Sequence, residues 1–433
     1  MNFSQKQIMF IGGGAFLLLV IVVLIFFNLQ PSKTAAVQLT VWGFEKSGAV
    51  GGLMDAYGQL RPSVEIFYKQ VSENNYENTL LSALASGQGP DVFPVHNRGL
   101  AKNLAVLFPA ASSQFAQSRL DNLFPAEVGQ DFAFAAATSA AGGAAEKQVY
   151  ALPLYFDTLS LIYNKDLLDQ GGVANPPVTW EEFQSDIAKL RNFSPSGQIV
   201  RAAAAIGGSQ KTIGNAVDIL NALMLQNGVT MISGKYASFA SEKGVGAFNF
   251  YLQFANPDSN YYTWNESQAK DFDSFAAGNT AIVFGYNSDV QKIKSKSPFL
   301  RFGVAPLPQV NPVNAVNYAD YRGLAVSKQS KNPTWAWDFI INMATQPQIA
   351  EQYSKITGQP PALRELISQK INDPALGVFA KQALTARSWN QPDEARVDGI
   401  FNDAIVSAIV SQSNTREILS RAQAQVTQLM NNQ

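Results

Sequence analysis

Hydrophobic and polar positions divide the 433-residue chain into three regimes. The first is an unbroken apolar run, Ile8 to Phe27, twenty residues without a charge. At ~1.5 Å rise per residue, a helix of that length spans ~30 Å, the thickness of a bilayer's hydrocarbon core. Lys6 and the amino terminus precede the run, and Lys33 is the first charge after it. Positive charge retained on the cytoplasmic side then places the body of the protein outside the cell membrane. An uncleaved single-pass anchor is expected. The alternative is a cleaved secretory signal, whose apolar stretch is ordinarily ~7–15 residues with small residues close behind. Here Asn28-Leu29-Gln30-Pro31 intervenes before Thr34-Ala35-Ala36.

The second regime alternates strand and helix patterns. Val37, Leu39 and Val41 alternate with Gln38, Thr40 and Trp42, a strand period. Leu53, Met54, Tyr57 and Leu60 stand at helical spacing, Val64–Tyr68 reads as a second strand, and Tyr76, Leu80 and Leu84 mark a second helix. Asp91–Val95 (DVFPV) is a short apolar run suited to a buried parallel strand. This β-α-β-α-β order predicts an α/β lobe whose ligands gather at the carboxyl ends of its strands. Phe132–Ala145 is Ala/Gly-rich and reads as loop, and Val149–Asn164 as an extended segment crossing between two lobes. Thr179 and Glu182 form a capping box, with Val178 and Phe183 at the staple positions.

In the third regime helices dominate, at about 211–227, 241–255, 266–277, 333–345 and 415–430. Glu417 and Arg421 are an i,i+4 pair in the last of these. Short strands are expected at Thr280–Phe284, Phe302–Ala305 and Gly323–Val326. The chain therefore reads as a two-lobe α/β body with helix-rich later parts.

Composition narrows the chemistry. Charges of 32 positive against 33 negative give a net charge of −1, with no Lys/Arg surplus for nucleic acid. Zero cysteines and a single histidine, His96, exclude Cys/His zinc sites, thiol nucleophiles and iron–sulfur clusters. No phosphate loop, dinucleotide-binding turn, nucleophile elbow or calcium loop occurs. No cofactor, metal or enzymatic activity is expected. His96, just past DVFPV, reads as a loop or lobe-packing residue. Asp91, Asp157, Asp289 and Asp320 lie near predicted strand ends, where a carboxylate pair could cleave glycosides or simply accept bonds from sugar hydroxyls.

Aromatic residues recur beside acids and amides at loop ends: Trp42, Tyr155-Phe156-Asp157, Tyr261 to Glu266 around Trp264, Tyr286-Asn287, Tyr318 to Arg322 around Tyr321, and Trp389-Asn390. Flat apolar rings flanked by planar hydrogen-bonding groups suit sugars. Core packing is the competing reading for each ring.

Taken in order, LTVWGF (39–44), SALASGQGPDVF (82–93), VYALPLYFDTLSLIYNKDLL (149–168), PVTWEEF (177–183), FAAGNTAIVFG (275–285), FGVAPLP (302–308), YRGLAVSKQS (321–330) and TGQPPA (357–362) resemble the extracellular solute-binding proteins of ABC importers, within the maltose-type sugar-binding cluster. The resemblance implies an α/β, two-lobe periplasmic-binding-protein fold with an interlobe cleft, here preceded by the transmembrane helix. It implies an anchor and linker at 1–37, an N-terminal lobe of 38–152 plus 285–348, and a C-terminal lobe of 153–284 plus 349–433. Carried over, the ligand-binding positions are Trp42, Glu45, Asn74, Tyr76, Asp91, Tyr155, Asp157, Trp264, Tyr286, Tyr321, Arg322 and Trp389. Family members often have two small residues at Arg322-Gly323, so Arg322 either narrows the pocket or recruits an acidic or phosphate-bearing ligand. The lipidated cysteine that usually tethers Gram-positive relatives is missing, which gives the helix at 8–27 that role. The implied partners are a mono- or oligosaccharide, an ABC transporter permease and the membrane. A ligand-sensing or adhesion ectodomain, or an exported glycosidase, are the other readings.

Overall fold

Val37–Gly43 and Val64–Gln70 pair in parallel from Val37↔Val64 to Gly43↔Gln70, and Val92–His96 joins the other side of the first strand at Val41↔Val92. The helices Ser47–Leu60 and Tyr76–Ala85 make the two crossovers, as their apolar spacing requires. Arg322–Ser327 then inserts antiparallel beside Val92–His96, with Arg322 opposite His96, and Leu107–Phe108 and Ala151–Pro153 complete the sheet. These coordinates are a computed structural model that describes residues 37–135, 147–411 and 414–432. The expected anchor at 8–27 lies outside the described residues, among which no helix is long and apolar enough to cross a membrane. Most of the expected loop at 132–145 also lies outside them; Ala133–Ala135 is a strand paired with Lys147–Val149.

A second sheet runs Asn192–Phe193, Ile199–Ala204, Thr280–Gly285, Ser160–Asn164 and Phe302–Ala305. All six residues of Thr280–Gly285 are buried, which explains their unbroken apolar run. Trp180–Leu190 carries the capping box, with Thr179 accepting from the Glu182 amide and Glu182 accepting from the Thr179 amide. The staple does not form as expected, because Val178 is 58% exposed while Phe183 is fully buried. Arg416, rather than Arg421, holds the ion pair described for the last helix, to Glu242.

The two sheets belong to two separate cores. One gathers Leu39 through Phe156 and Ala319 through Ala386; the other gathers Leu159 through Tyr318 and Trp389 onward, with Phe379 turned into it. This moves two expected boundaries. Residues 285–318 pack in the C-terminal lobe because Phe302–Ala305 pairs antiparallel with Ser160–Asn164. Residues 349–386 pack in the N-terminal lobe, where Tyr353 of helix Pro347–Thr357 is buried and bonded to Glu45.

The chain crosses between the lobes three times, and the crossings form a small sheet: Ala386–Arg387, Asn317–Asp320 and Asp157–Thr158. Gln382, just ahead of Ala386–Arg387, donates to Thr158 Oγ1 (2.9 Å) and Ser160 Oγ (2.6 Å) at the first crossing and accepts from the Leu307 amide (2.7 Å).

Trp264, fully buried in the C-terminal core, gives its indole N–H to Thr212 Oγ1 at 3.1 Å. Trp264→Ala should therefore cost ~3–5 kcal/mol, read as a fall in the denaturation midpoint. A stability within experimental error of the parent would show that this core does not depend on the ring.

Candidate functional site

The carboxyl edge of the N-terminal sheet collects Trp42 to Glu45, Pro94 to His96, Leu154-Tyr155 and Arg322, because the first and third strands end there and the antiparallel return strand starts there. A small, largely apolar pocket of about 40 Å³ opens at this edge, lined by Trp42, Phe44, Met54, Phe339 and Met343 under a polar rim of Glu45, Tyr68, Tyr155, Arg322 and Tyr353. Tyr68 donates to the Glu45 carbonyl (2.9 Å) and carboxylate (3.1 Å), and Tyr353 donates to the same carboxylate. Arg322 lies over the Phe44 ring (4.9 Å), lines the same pocket as Tyr155 and reaches Glu73 at 3.4 Å. Gly43 allows this packing, since a Cβ there would sit 2.8 Å from the Tyr68 ring.

Beside the pocket runs a polar groove of about 430 Å³ between the loop at 73–75 with the start of helix Tyr76–Ala85, the strand end at His96, Lys102 and the start of helix Glu394–Ser411. Tyr76 stands on its wall, donating to the Pro94 carbonyl (2.9 Å) and packing edge-on to Phe44 (4.9 Å). Lys102 joins Glu77 (2.8 Å) to Asp393 (3.1 Å), so the groove has one wall from each lobe. Asn75, with φ of 60°, holds a left-handed conformation at its edge, which an asparagine tolerates better than most residues.

Deeper between the lobes lies Arg98, only 3% exposed, from the N-terminal lobe. It donates to Asp218 Oδ1 (2.7 Å) and Glu394 Oε1 (3.2 Å) of the C-terminal lobe, and to Tyr318 (2.9 Å) and Asp320 Oδ2 (2.9 Å) of the hinge strand. His96 stands 3.3 Å from Asp320 and 3.1 Å from Glu394. Tyr286 donates to the other Asp218 oxygen at 2.9 Å. Burial pushes the Asp218 carboxyl up, with Arg98 opposing. Burial acts the same way on Asp320, but His96 and Arg98 together hold it well below the usual carboxylate range.

The expected site residues therefore separate into groups. Trp42, Glu45, Tyr76, Tyr155 and Arg322 meet at the N-terminal edge of the cleft, and Asn74 is exposed on the loop beside the groove. Tyr286 joins the Arg98 cluster from the opposite lobe. Asp157 is buried at the hinge, accepting from its neighbour Thr158 (2.8 Å) and the first amide of the helix Asn287–Lys296 (2.9 Å). The other four lie elsewhere. Asp91 begins a strand whose far end faces the cleft, and its carboxylate takes the Thr40 amide (2.9 Å) and the Ser330 hydroxyl. Trp264 is in the core, Trp389 gives its N–H to Asn221 (3.0 Å) inside the C-terminal lobe, and Tyr321 stacks on Phe156 (4.4 Å) and bonds Asp131 (2.6 Å). Of the acids considered as a cleaving pair, Asp289 caps the Tyr286 amide (3.1 Å), so Asp91, Asp157 and Asp289 all serve backbone amides. The sequence reading missed Arg98, Asp218, Glu394 and Asp398. The one available signal was Arg98's place three residues past the DVFPV run, at its carboxyl end.

Two α/β lobes, three hinge crossings and a polar cleft shared by both walls define an interlobe binding protein. The chain belongs to the bacterial extracellular solute-binding proteins, whose family model matches residues 52–377. It is 23% identical over 375 residues to a maltotriose-binding protein of Pyrococcus abyssi, covering 82% of this chain and 70% of that one. It is 25% identical over 370 residues to the sn-glycerol-3-phosphate-binding periplasmic protein of Yersinia enterocolitica, covering 77% of each. Among solved structures it superposes on the cyclic α-maltosyl-1,6-maltose binding protein of Arthrobacter globiformis with a TM-score of 0.74 at 18% identity, covering 92% of this chain and 100% of that one. The sugar-binding protein of Xanthomonas citri gives 0.73 at 19% identity, covering 92% and 98%.

Asp91→Ala should lower stability by ~1–3 kcal/mol, by orphaning the Thr40 amide and the Ser330 hydroxyl, and leave ligand affinity unchanged. A loss of affinity with unchanged stability would return Asp91 to the binding site.

Proposed function

We propose that this chain is a membrane-tethered, extracytoplasmic binding protein that captures a carbohydrate by closing its lobes and presents it to an ABC transporter permease. The observation that carries the reading is the cleft itself, where Arg98 of one lobe is held by Asp218 and Glu394 of the other beside a groove of about 430 Å³. That size lies within the range of small-molecule sites, ~300–1,000 Å³. Ligand bridging both walls favours the closed form only through its greater affinity for that form.

The groove favours a neutral, hydroxyl-rich ligand over an anion. Lys102 is already paired with Glu77 and Asp393, and Arg322 with Glu73, so an added phosphate would meet those carboxylates as well. The maltotriose-binding relative and the sugar-binding structural neighbours support the same choice. Tyr76, half-buried on the wall, supplies a ring edge, while Asn75, Asn78 and Asn103 supply amides. The tether rests on the twenty-residue apolar run at 8–27, and the permease on the family's role.

A thermal-shift screen of the full chain with maltotriose, mannobiose and sn-glycerol 3-phosphate tests the ligand class. A saccharide at 100 times its Kd should add ~2.7 kcal/mol of stability. Stabilisation by sn-glycerol 3-phosphate alone would overturn the carbohydrate reading. With a saccharide that binds, Arg322→Ala should weaken affinity by about tenfold or more, the effect of removing one charge-assisted hydrogen bond of ~1.5–3 kcal/mol. Deleting residues 8–27 should move the protein from the membrane fraction of cells; retention there would sink the tether.

A further inference from the structure

The cluster around Arg98 holds more acid than base. Asp218 comes from the helix Ala216–Gln226, and Glu394 and Asp398 from the helix Glu394–Ser411, all in the C-terminal lobe. Asp320 and Tyr318 come from the hinge strand, and His96 and Arg98 from the N-terminal lobe. Four carboxylates thus face one guanidinium and one imidazole. Asp218, Asp320 and Glu394 each take a hydrogen bond from Arg98, whereas Asp398 Oδ1 is buried without a partner in the structure.

We propose that closing the lobes takes up a proton at this cluster, with Asp398 as its site, so that acidity below neutral favours the closed form. The inference rests on the hinge-closure reading above. With the lobes apart, water reaches the wall that carries Asp218, Glu394 and Asp398, and an aspartate such as Asp398 there ionises in the ordinary range, near ~4. Closure removes that water and brings in one guanidinium, whose two terminal nitrogens are already shared among three acids and whose buried Nε makes no hydrogen bond to Asp398. A fourth ionised carboxylate would sit beside three others in a medium of low dielectric, and the neutral form is then preferred.

Burial, opposed by Arg98 and reinforced by Asp218, Glu394 and Asp320, pushes the Asp398 carboxyl up to about 7. Asp320 moves the opposite way, because His96 and Arg98 outweigh its burial, so it keeps its charge. The sign follows. The closed form binds the proton more tightly than the open form, so the closed-to-open ratio is flat well above pH 7. It rises about tenfold per pH unit as pH falls from about 7 toward about 5.

The chain has no cysteine, so the full chain carrying Asp55→Cys and Glu181→Cys takes one dye on an exposed helix of each lobe. Energy transfer between the dyes, read from pH 8.5 to 5 without added ligand, reports closure. The expected result is a shorter interlobe distance on acidification, lost in the isosteric Asp398→Asn variant, which stays closed across the range. Arg98→Ala should lengthen the distance at pH 7.5. Overturning results are a wild-type pH response retained in Asp398→Asn, or no pH response in a protein that Arg98→Ala still opens. A distance that neither pH nor Arg98→Ala moves would instead sink the hinge-closure reading, and this inference with it.

Discussion

A guanidinium removed from water must be paired, and Arg98 is paired by groups that no single lobe could supply. Desolvating such a charge costs several kcal/mol, recovered only when its partners are well placed. Here the partners are Asp218 and Glu394 on one side and Tyr318 and Asp320 in the hinge. Arg98's own carbonyl accepts the Gln391 amide at 2.7 Å, which fastens the third crossing to the same point. The packing of the two lobes together and the pairing of this residue's two terminal nitrogens are therefore the same condition, while its Nε stays buried without a partner.

The hinge is built to keep that point in register while the lobes around it remain separate bodies. Each lobe has its own core, and the crossings are short strands held by side-chain hydrogen bonds, with Tyr318 packed in one core and Ala319 and Ala386 in the other. Gln382 ties the first and third crossings on one side. On another, Glu127 takes the Ser388 amide (2.6 Å) and Asp131 takes the Ser388 hydroxyl (2.6 Å). Burial, with Glu127 close by, pushes Asp131 up to about 7. Hydrogen bonds of this kind fix direction over short distances, which suits a joint between rigid lobes better than a broad hydrophobic contact would.

The aromatic residues explain why part of the site was misread. A ring next to an amide or acid in a loop looks like a sugar platform, yet a buried indole or phenol needs such a partner for its own N–H or O–H. Trp264 uses Thr212, Trp389 uses Asn221, and Tyr321 uses Asp131. The polar group that suggested a ligand is, in these three cases, the group that makes burial of the ring possible. At Trp42 and Tyr155 the rings stand where strands end, and Tyr76, at the start of a helix, leans on the strand end at Pro94, so nearness to the carboxyl edge of the sheet separates the two situations.

Local pattern alone determined the β-α-β-α-β order of residues 37–96, the capped helix at Thr179, the helix Pro333–Thr345 and the chemistry excluded by zero cysteines. These depend on side-chain period and on neighbours within a few residues, which a sequence displays directly. It missed the helix Glu394–Ser411, whose apolar face is weakly patterned, and it misplaced the exchanges between lobes at 285–318 and 349–386. Strand pairing and burial decided those. The Arg98 cluster was out of reach for the same reason, since Asp218 and Glu394 lie 120 and 296 residues away along the chain. An ion pair leaves no periodic trace in sequence, and only folding brings its members within a few ångströms.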